Sequence, residues 1–295
     1  MTLSRQYAKL CDVRDFDDPA LLETISSLVP ERDPTAHVER KVWEFAMVML
    51  FLRDTGHLNG RSKVLSMGAG DERVLFWLTN HLGRMVATDI YGEGPFAHQE
   101  AQASMLEDPA AHAPDYGWRP ERLEVRKMDG RRLEFPDTSF DAVFTISSIE
   151  HFGSPRDVAR AAREIGRVLR PGGHAAIVTE YLVERHLLNA APVDFAMRVL
   201  TLGRRRREAT PRRRAVLGEA FTRRELDQRI IRPSGLTMMQ PLNPSLSPES
   251  RDNVVTAKLD GQLYPSTGRL YPLILMRFSR SLYTSVFVPL EKAAR

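Results

Sequence analysis

The stretch Val64-Leu65-Ser66-Met67-Gly68-Ala69-Gly70-Asp71-Glu72-Arg73 decides how the chain is read. A short apolar run stops at Gly-x-Gly, and a helix-like segment follows at once. A buried parallel strand turning tightly into a helix has this form, with glycine where backbone bends or lies close to a ligand. About twenty residues on, a second apolar run, Met85-Val86-Ala87-Thr88, stops at Asp89. An acid at the end of that strand is placed to accept hydrogen bonds from both hydroxyls of a ribose. The two strand ends point to a nucleoside-containing ligand. The bland alternative, two turn glycines and a solvent-facing acid, stays open on this fragment alone.

Outward from the turn, the pattern alternates. On the N-terminal side, Val38, Val42, Phe45, Met49 and Leu52 recur at helical spacings through 36–55, and Gly56 is a natural stop. On the C-terminal side, strands are expected at Leu123–Met128 and Asp141–Ile146. A helix then starts at Ser154-Pro155, closes at Arg170-Pro171-Gly172-Gly173 and leads into a strand at Ala175–Thr179. A capped helix is expected at Thr222–Ile231, with Glu225 three residues after Thr222. Further strands are expected at Leu236–Met239 and Leu270–Phe278. Strands alternating with helices predict an α/β fold: a Rossmann-like, seven-stranded, mostly parallel sheet with helices on both faces. Residues 1–58 are expected as an N-terminal helical cap. Residues 59–295 form the main domain, with a helical lid insertion around 182–220.

Composition narrows the class. With 295 residues, 42% of them hydrophobic, the chain buries a large core and is not a disordered polymer. The longest apolar run, Phe45 to Leu52, is far short of a membrane span. Acids follow Met1-Thr2-Leu3-Ser4-Arg5, so no signal peptide is expected, and the lone Cys11 suits a cytoplasmic setting. The net charge of +4 gathers in two blocks, Arg204–Arg207 and Arg212–Arg214. A solvated loop accounts for them first, and a site for anionic partners second.

The kind of nucleoside ligand follows from what the turn lacks. A dinucleotide site wants a third glycine three residues after the second, where a pyrophosphate meets the helix. That position is Arg73, and Asp71 would repel a pyrophosphate. Both departures suit a cofactor without phosphate.

At this point the chain resembles the class I S-adenosylmethionine-dependent methyltransferases. The carriers are the turn Val64–Gly70, the acid Asp89, the pair Asp129-Gly130, the strand Phe140–Phe144 with Ser147-Ser148, and Arg167-Val168-Leu169-Arg170-Pro171-Gly172-Gly173. Their strength lies in order and spacing across roughly 60–180. The resemblance implies S-adenosylmethionine held by Ser66, Gly68, Ala69, Gly70, Asp71, Asp89, Ile90, Asp129, Gly130 and Ser147. Asp129 would accept from the adenine amine. One departure stands out: the family usually has an acid where this chain has Ser66, and Asp71 or Glu44 would then compensate.

A sulfonium methyl is already electrophilic, so alignment is the main catalytic task. A hydroxyl acceptor must also lose its proton, which calls for a base titrating near neutrality. His151 is the expected base, with Glu150 orienting it or touching acceptor hydroxyls. The histidine that merely packs or caps is the plain alternative. A divalent cation such as Mg²⁺ held by Glu150, His151 and a more distant acid is left open, because no ligand cluster is visible. The run 147–153, Ser-Ser-Ile-Glu-His-Phe-Gly, resembles methyltransferases among bacterial glycan-modifying enzymes. That implies a small-molecule or oligosaccharide acceptor, with His186 or Tyr181 near it. A homodimer is left open. Two other readings remain: a nucleic-acid methyltransferase, which lacks its Asn-Pro-Pro-Tyr-type motif here, and a non-catalytic binder of the cofactor.

Overall fold

The computed structural model describes residues 3–184, 220–258, 262–278 and 281–294. The strands in chain order are β1 (Lys9–Leu10), β2 (Lys63–Met67), β3 (Arg84–Asp89), β4 (Leu123–Lys127), β5 (Phe140–Ile146), β6 (Leu169–Glu184), β7 (Thr237–Met238), β8 (Val254–Ala257), β9 (Leu263–Pro265), β10 (Leu275–Phe278) and β11 (Ser281–Glu291). All eleven join one sheet, ordered β4-β3-β2-β5-β6-β11-β10-β8-β9, with β1 and β7 also on β11. The expected Rossmann-like α/β architecture is present, and the sheet is larger than the seven strands predicted. Its β4-to-β6 half is parallel. The other half is largely antiparallel, because β11 runs against β6, β10, β1 and β7.

Successive residues of the central strands feed two separate cores, as the period of two in a strand requires. Val64, Ala142, Val178 and Phe287 pack on the face covered by α1 (Pro19–Leu28), α2 (Arg40–Asp54) and α3 (Arg73–Thr79). Leu65, Val143, Ile177 and Val286 pack on the opposite face. Past a short α4 (Ser104–Glu107), that face is covered by α5 (Pro155–Val168) and by the segment after it that opens with α6 (Arg223–Leu226).

Local signals explain these helices. Ser154 caps α5 in a reciprocal box with Asp157, with Pro155 in the first turn, and Val158, Ala161, Ala162, Ile165 and Val168 form its buried stripe. Thr222 caps α6 in the same way with Glu225. From Val42 to Leu52 every residue of α2 is buried, so this helix is enclosed on all sides.

Several boundaries differ from the sequence expectation. β6 already begins at Leu169, because Arg170–Gly173 form a bulge within the strand, marked by the register shift between Phe140 and Ala142. The strand expected at Leu236–Met239 is a two-residue piece on β11, and the one at Leu270–Phe278 starts only at Leu275. β11 itself was not expected. The N-terminal segment contributes β1 as well as helices. The lid around 182–220 is β6 as far as Glu184; the stretch 185–219, with His186 and the arginine blocks, lies outside the described residues. Among the described residues, no helix is long and apolar enough to cross a membrane.

Candidate active site

The glycine turn is built by strand register. Thr88 O, at the end of β3, accepts both Gly68 N–H (2.8 Å) and Ala69 N–H (3.0 Å). Gly68 and Gly70 have φ of +70° and +52°, the left-handed region that glycine enters without penalty. A Cβ on Gly68 would stand 2.6 Å from Cβ of Ser148, so the cradle also requires the missing side chain. Asp89 closes it: Oδ2 accepts from Gly70 N–H at 2.9 Å and Oδ1 from Ile90 N–H at 2.7 Å. Burial raises the Asp89 pKa, and the two N–H groups oppose that shift. Each oxygen keeps a further lone pair for a ligand.

Beyond β4, Gly130 lets the Phe152 ring approach, since a Cβ there would lie 2.5 Å from it. Asp129 sits in the fork of Arg131, whose Nε lies 2.8 and 2.9 Å from its two oxygens, and this contact holds the carboxyl pKa down.

The end of β5 forms another wall. Ser147 has φ of +45°, a costly conformation for a residue with a Cβ. Ser148 Oγ donates to Gly68 O at 2.6 Å, locking this strand end to the glycine turn. The short turn Ile149–His151 then splits its two polar residues. His151 lies on the cavity wall, edge-on to Phe96 at 4.9 Å between ring centres. Glu150 points the other way: it is 4% exposed, and its carboxylate accepts from Thr179 Oγ1 (2.7 Å) and Glu180 N–H (3.3 Å). Burial pushes the Glu150 pKa up to about 7, with His151 pulling it down. The expectation that Glu150 touches the acceptor is therefore corrected. Adjacent residues of a tight turn face opposite ways, and only His151 faces the cavity.

The fourth side comes from the first turn of α2. Arg40 donates to Glu180 Oε1 (3.0 Å) and Glu44 Oε1 (3.3 Å), and Lys41 donates to Glu72 Oε1 (2.7 Å). Ser147 Oγ donates to Glu44 Oε2 at 2.9 Å.

These walls enclose a cavity of about 700 Å³ at the carboxyl ends of the parallel strands, within the size range of small-molecule sites. It brings together Gly68, Ala69, Gly70, Asp71, Asp89, Ile90, Asp129, Gly130, Ser147 and His151, all singled out from sequence. Ser66 is not among them. It is sealed at 1% exposure one residue before the end of β2, paired with Ala87 and Phe144, which corrects its placement as a cofactor contact. Lining residues that sequence reading did not single out include Arg40, Lys41, Glu72, Phe96 and Glu180. Glu180 had a usable signal, an acid one residue beyond an expected strand end. Glu44 is completely buried and lies behind the wall. Among the described residues, no group of three or more His, Cys, Asp or Glu is arranged to hold a metal ion.

The sequence pattern of the family described as a methyltransferase domain matches residues 65–177. Over 152 residues the chain is 32% identical to a phosphatidylethanolamine N-methyltransferase of Cereibacter sphaeroides, covering 51% of this chain and 67% of that protein. The chain belongs to the class I S-adenosylmethionine-dependent methyltransferases. Within this methyltransferase family it is also 31% identical over 117 residues to the methyltransferase GfsG of Streptomyces halstedii, covering 39% of this chain and 36% of GfsG. In fold it resembles the crystal structure of the YcgJ protein from Bacillus subtilis. The TM-score is 0.51 at 16% identity, over 86% of this chain and 99% of that one.

Proposed function

We propose that this methyltransferase transfers the methyl group of S-adenosylmethionine to a hydroxyl of a sugar, oligosaccharide or other polyhydroxylated small molecule, with His151 as the base. The observation that carries the reading is the position of His151. It faces the same cavity as the glycine turn, while its neighbour Glu150 is turned into the protein. When bound, the cofactor supplies a sulfonium methyl that needs no further activation.

The cavity suits that cofactor in three respects. The glycine turn at Gly68 and Gly70 lines it without side chains, Asp89 has lone pairs left for ribose hydroxyls, and Asp129 is an acceptor for the adenine amine. His151 takes the proton of the acceptor hydroxyl as it attacks. Glu150 acts through space: charge gained by the imidazole favours its ionised form, and that carboxylate in turn steadies the imidazolium. Phe96 and Phe152 keep water from the reacting oxygen.

A second reading, transfer to an amine, draws on the likeness to the phosphatidylethanolamine N-methyltransferase and on the acids Glu93, Glu100 and Glu180 along the cavity, which suit a cationic acceptor.

A methyl-transfer screen over sugars, oligosaccharides and amines, with and without a chelator, separates these readings. Turnover on a hydroxylated acceptor that collapses in His151→Ala supports the first. Turnover on amines alone, indifferent to that substitution, replaces it with the second.

A further inference from the structure

Three buried or half-buried carboxylates other than Asp89 stand near the glycine turn, and two are already committed. Glu44 has both oxygens engaged: Oε2 with Ser147, and Oε1 with Arg40 and Ser285. Asp71 Oδ2 lies 3.0 Å from His112 Nδ1. Glu72 differs. It lines the cavity, its side chain is 11% exposed, and Oε1 accepts from Lys41 Nζ at 2.7 Å. Its Oε2 is shielded from water and has no hydrogen-bond partner. A carboxylate oxygen left this way is costly unless another cation arrives to use it. The terminal torsion of glutamate is broad, so either oxygen can turn to the cavity while the other keeps Lys41. Lys41 is half-exposed on the same wall and retains donors of its own.

An acid and a base in contact, each with bonding capacity to spare, match a ligand end that carries both charges. S-adenosylmethionine has such an end, the α-ammonium and α-carboxylate of its methionine part. With adenosine along Asp89 and Asp129, as in the reading above on which this inference rests, that end falls to the remaining side of the cavity. We propose that Glu72 and Lys41 clamp the amino-acid end of the cofactor, Glu72 accepting from the ammonium and Lys41 donating to the carboxylate. Burial already pushes the Glu72 pKa up to about 7. A proton and the ligand ammonium therefore compete for it, and cofactor affinity rises with pH across that value.

Calorimetry with two ligands tests this without turnover. S-adenosylhomocysteine keeps the amino-acid end, and 5′-methylthioadenosine lacks it. The wild-type protein should bind the first more tightly. Glu72→Gln should weaken S-adenosylhomocysteine at least about tenfold, leave 5′-methylthioadenosine within about twofold as evidence of an intact fold, and abolish the pH dependence near 7. Lys41→Met should act in the same direction. Equal losses for both ligands, no loss for either, or a wild type indifferent to the amino-acid end would overturn the clamp. Wild-type protein that binds neither ligand, or an Asp89→Ala variant that binds both normally, would instead overturn the adenosine site on which the clamp rests.

Discussion

Ser147 Oγ donates to Glu44 Oε2 at 2.9 Å, tying the end of β5 to a helix that precedes it by a hundred residues of chain. The bond holds Ser147 at a φ of +45° and fills one of the acceptor positions of a buried carboxylate. Two opposing energies meet there. A hydrogen bond to a charged group is worth roughly 1.5–3 kcal/mol, and the left-handed backbone costs roughly 1–2 kcal/mol.

Those energies separate two substitutions. Ser147→Ala loses the bond and keeps the strain, and should lower unfolding free energy by about 2 kcal/mol. Ser147→Gly loses the same bond but removes the strain, and should recover about half of that loss. Urea midpoints give the order. A glycine variant less stable than the alanine variant would mean that the strain is not real.

Replacing His151 by alanine should cut methyl transfer to a hydroxyl by about 10²–10⁴-fold, the usual contribution of a general base. S-adenosylhomocysteine affinity should stay within about threefold, because the assigned cofactor contacts lie elsewhere. Initial rates and calorimetry on the same protein check both parts.

Asp89→Ala removes the carboxylate acceptors of two backbone N–H groups, Gly70 and Ile90, as well as the proposed ribose contact. Cofactor affinity should fall by about 10–100-fold. Asp89→Asn, which keeps one oxygen, should fall between this and the wild type. An asparagine variant as weak as alanine would show that the charge, and not the geometry, is what matters.

At the opposite end of the strands, His57 Nε2 lies 2.9 Å from His174 Nδ1, both at buried or half-buried positions. One ring must donate and the other accept, so protonating both breaks the contact. Burial, helped by His174, lowers the His57 pKa from 6.5 to about 4. The neutral form is thus favoured by folding. Its contribution is complete above pH 6.5, declines as pH falls from 6.5 towards 4, and is gone below that. The slope should reach about 1.4 kcal/mol per pH unit. His57→Gln should flatten the stability profile in that window and leave the profile above pH 7 parallel to wild type.

The glycine turn, the acid of β3 and the capped start of α5 were legible because each is set by local chemistry: a backbone angle, a strand end, a cap. β11 was not. Both faces of Ser281–Glu291 are covered, so no alternation marks it, and Thr284, Ser285 and Pro289 read as a loop. Arg40 and Lys41 were missed for a different reason. Their helix was found, but which of its turns overlooks the cavity is fixed only by its docking on the sheet. Glu150 and His151 show the finest limit. Their adjacency was visible in sequence, and only the turn Ile149–His151 assigns one to the cavity and the other to the interior.

β11 gives one edge to β6 and divides the other among β10, β1 and β7 in succession, at 281–283, 286–287 and 290–291. Four segments spread from Lys9 to Phe278 thus share one late partner. During synthesis the parallel half can assemble as it emerges, but β1 waits for residues 286–287 before its ladder on β11 can form. Until β11 arrives, β6 presents an open edge, so a chain stalled before residue 281 should be the species that associates with its own kind.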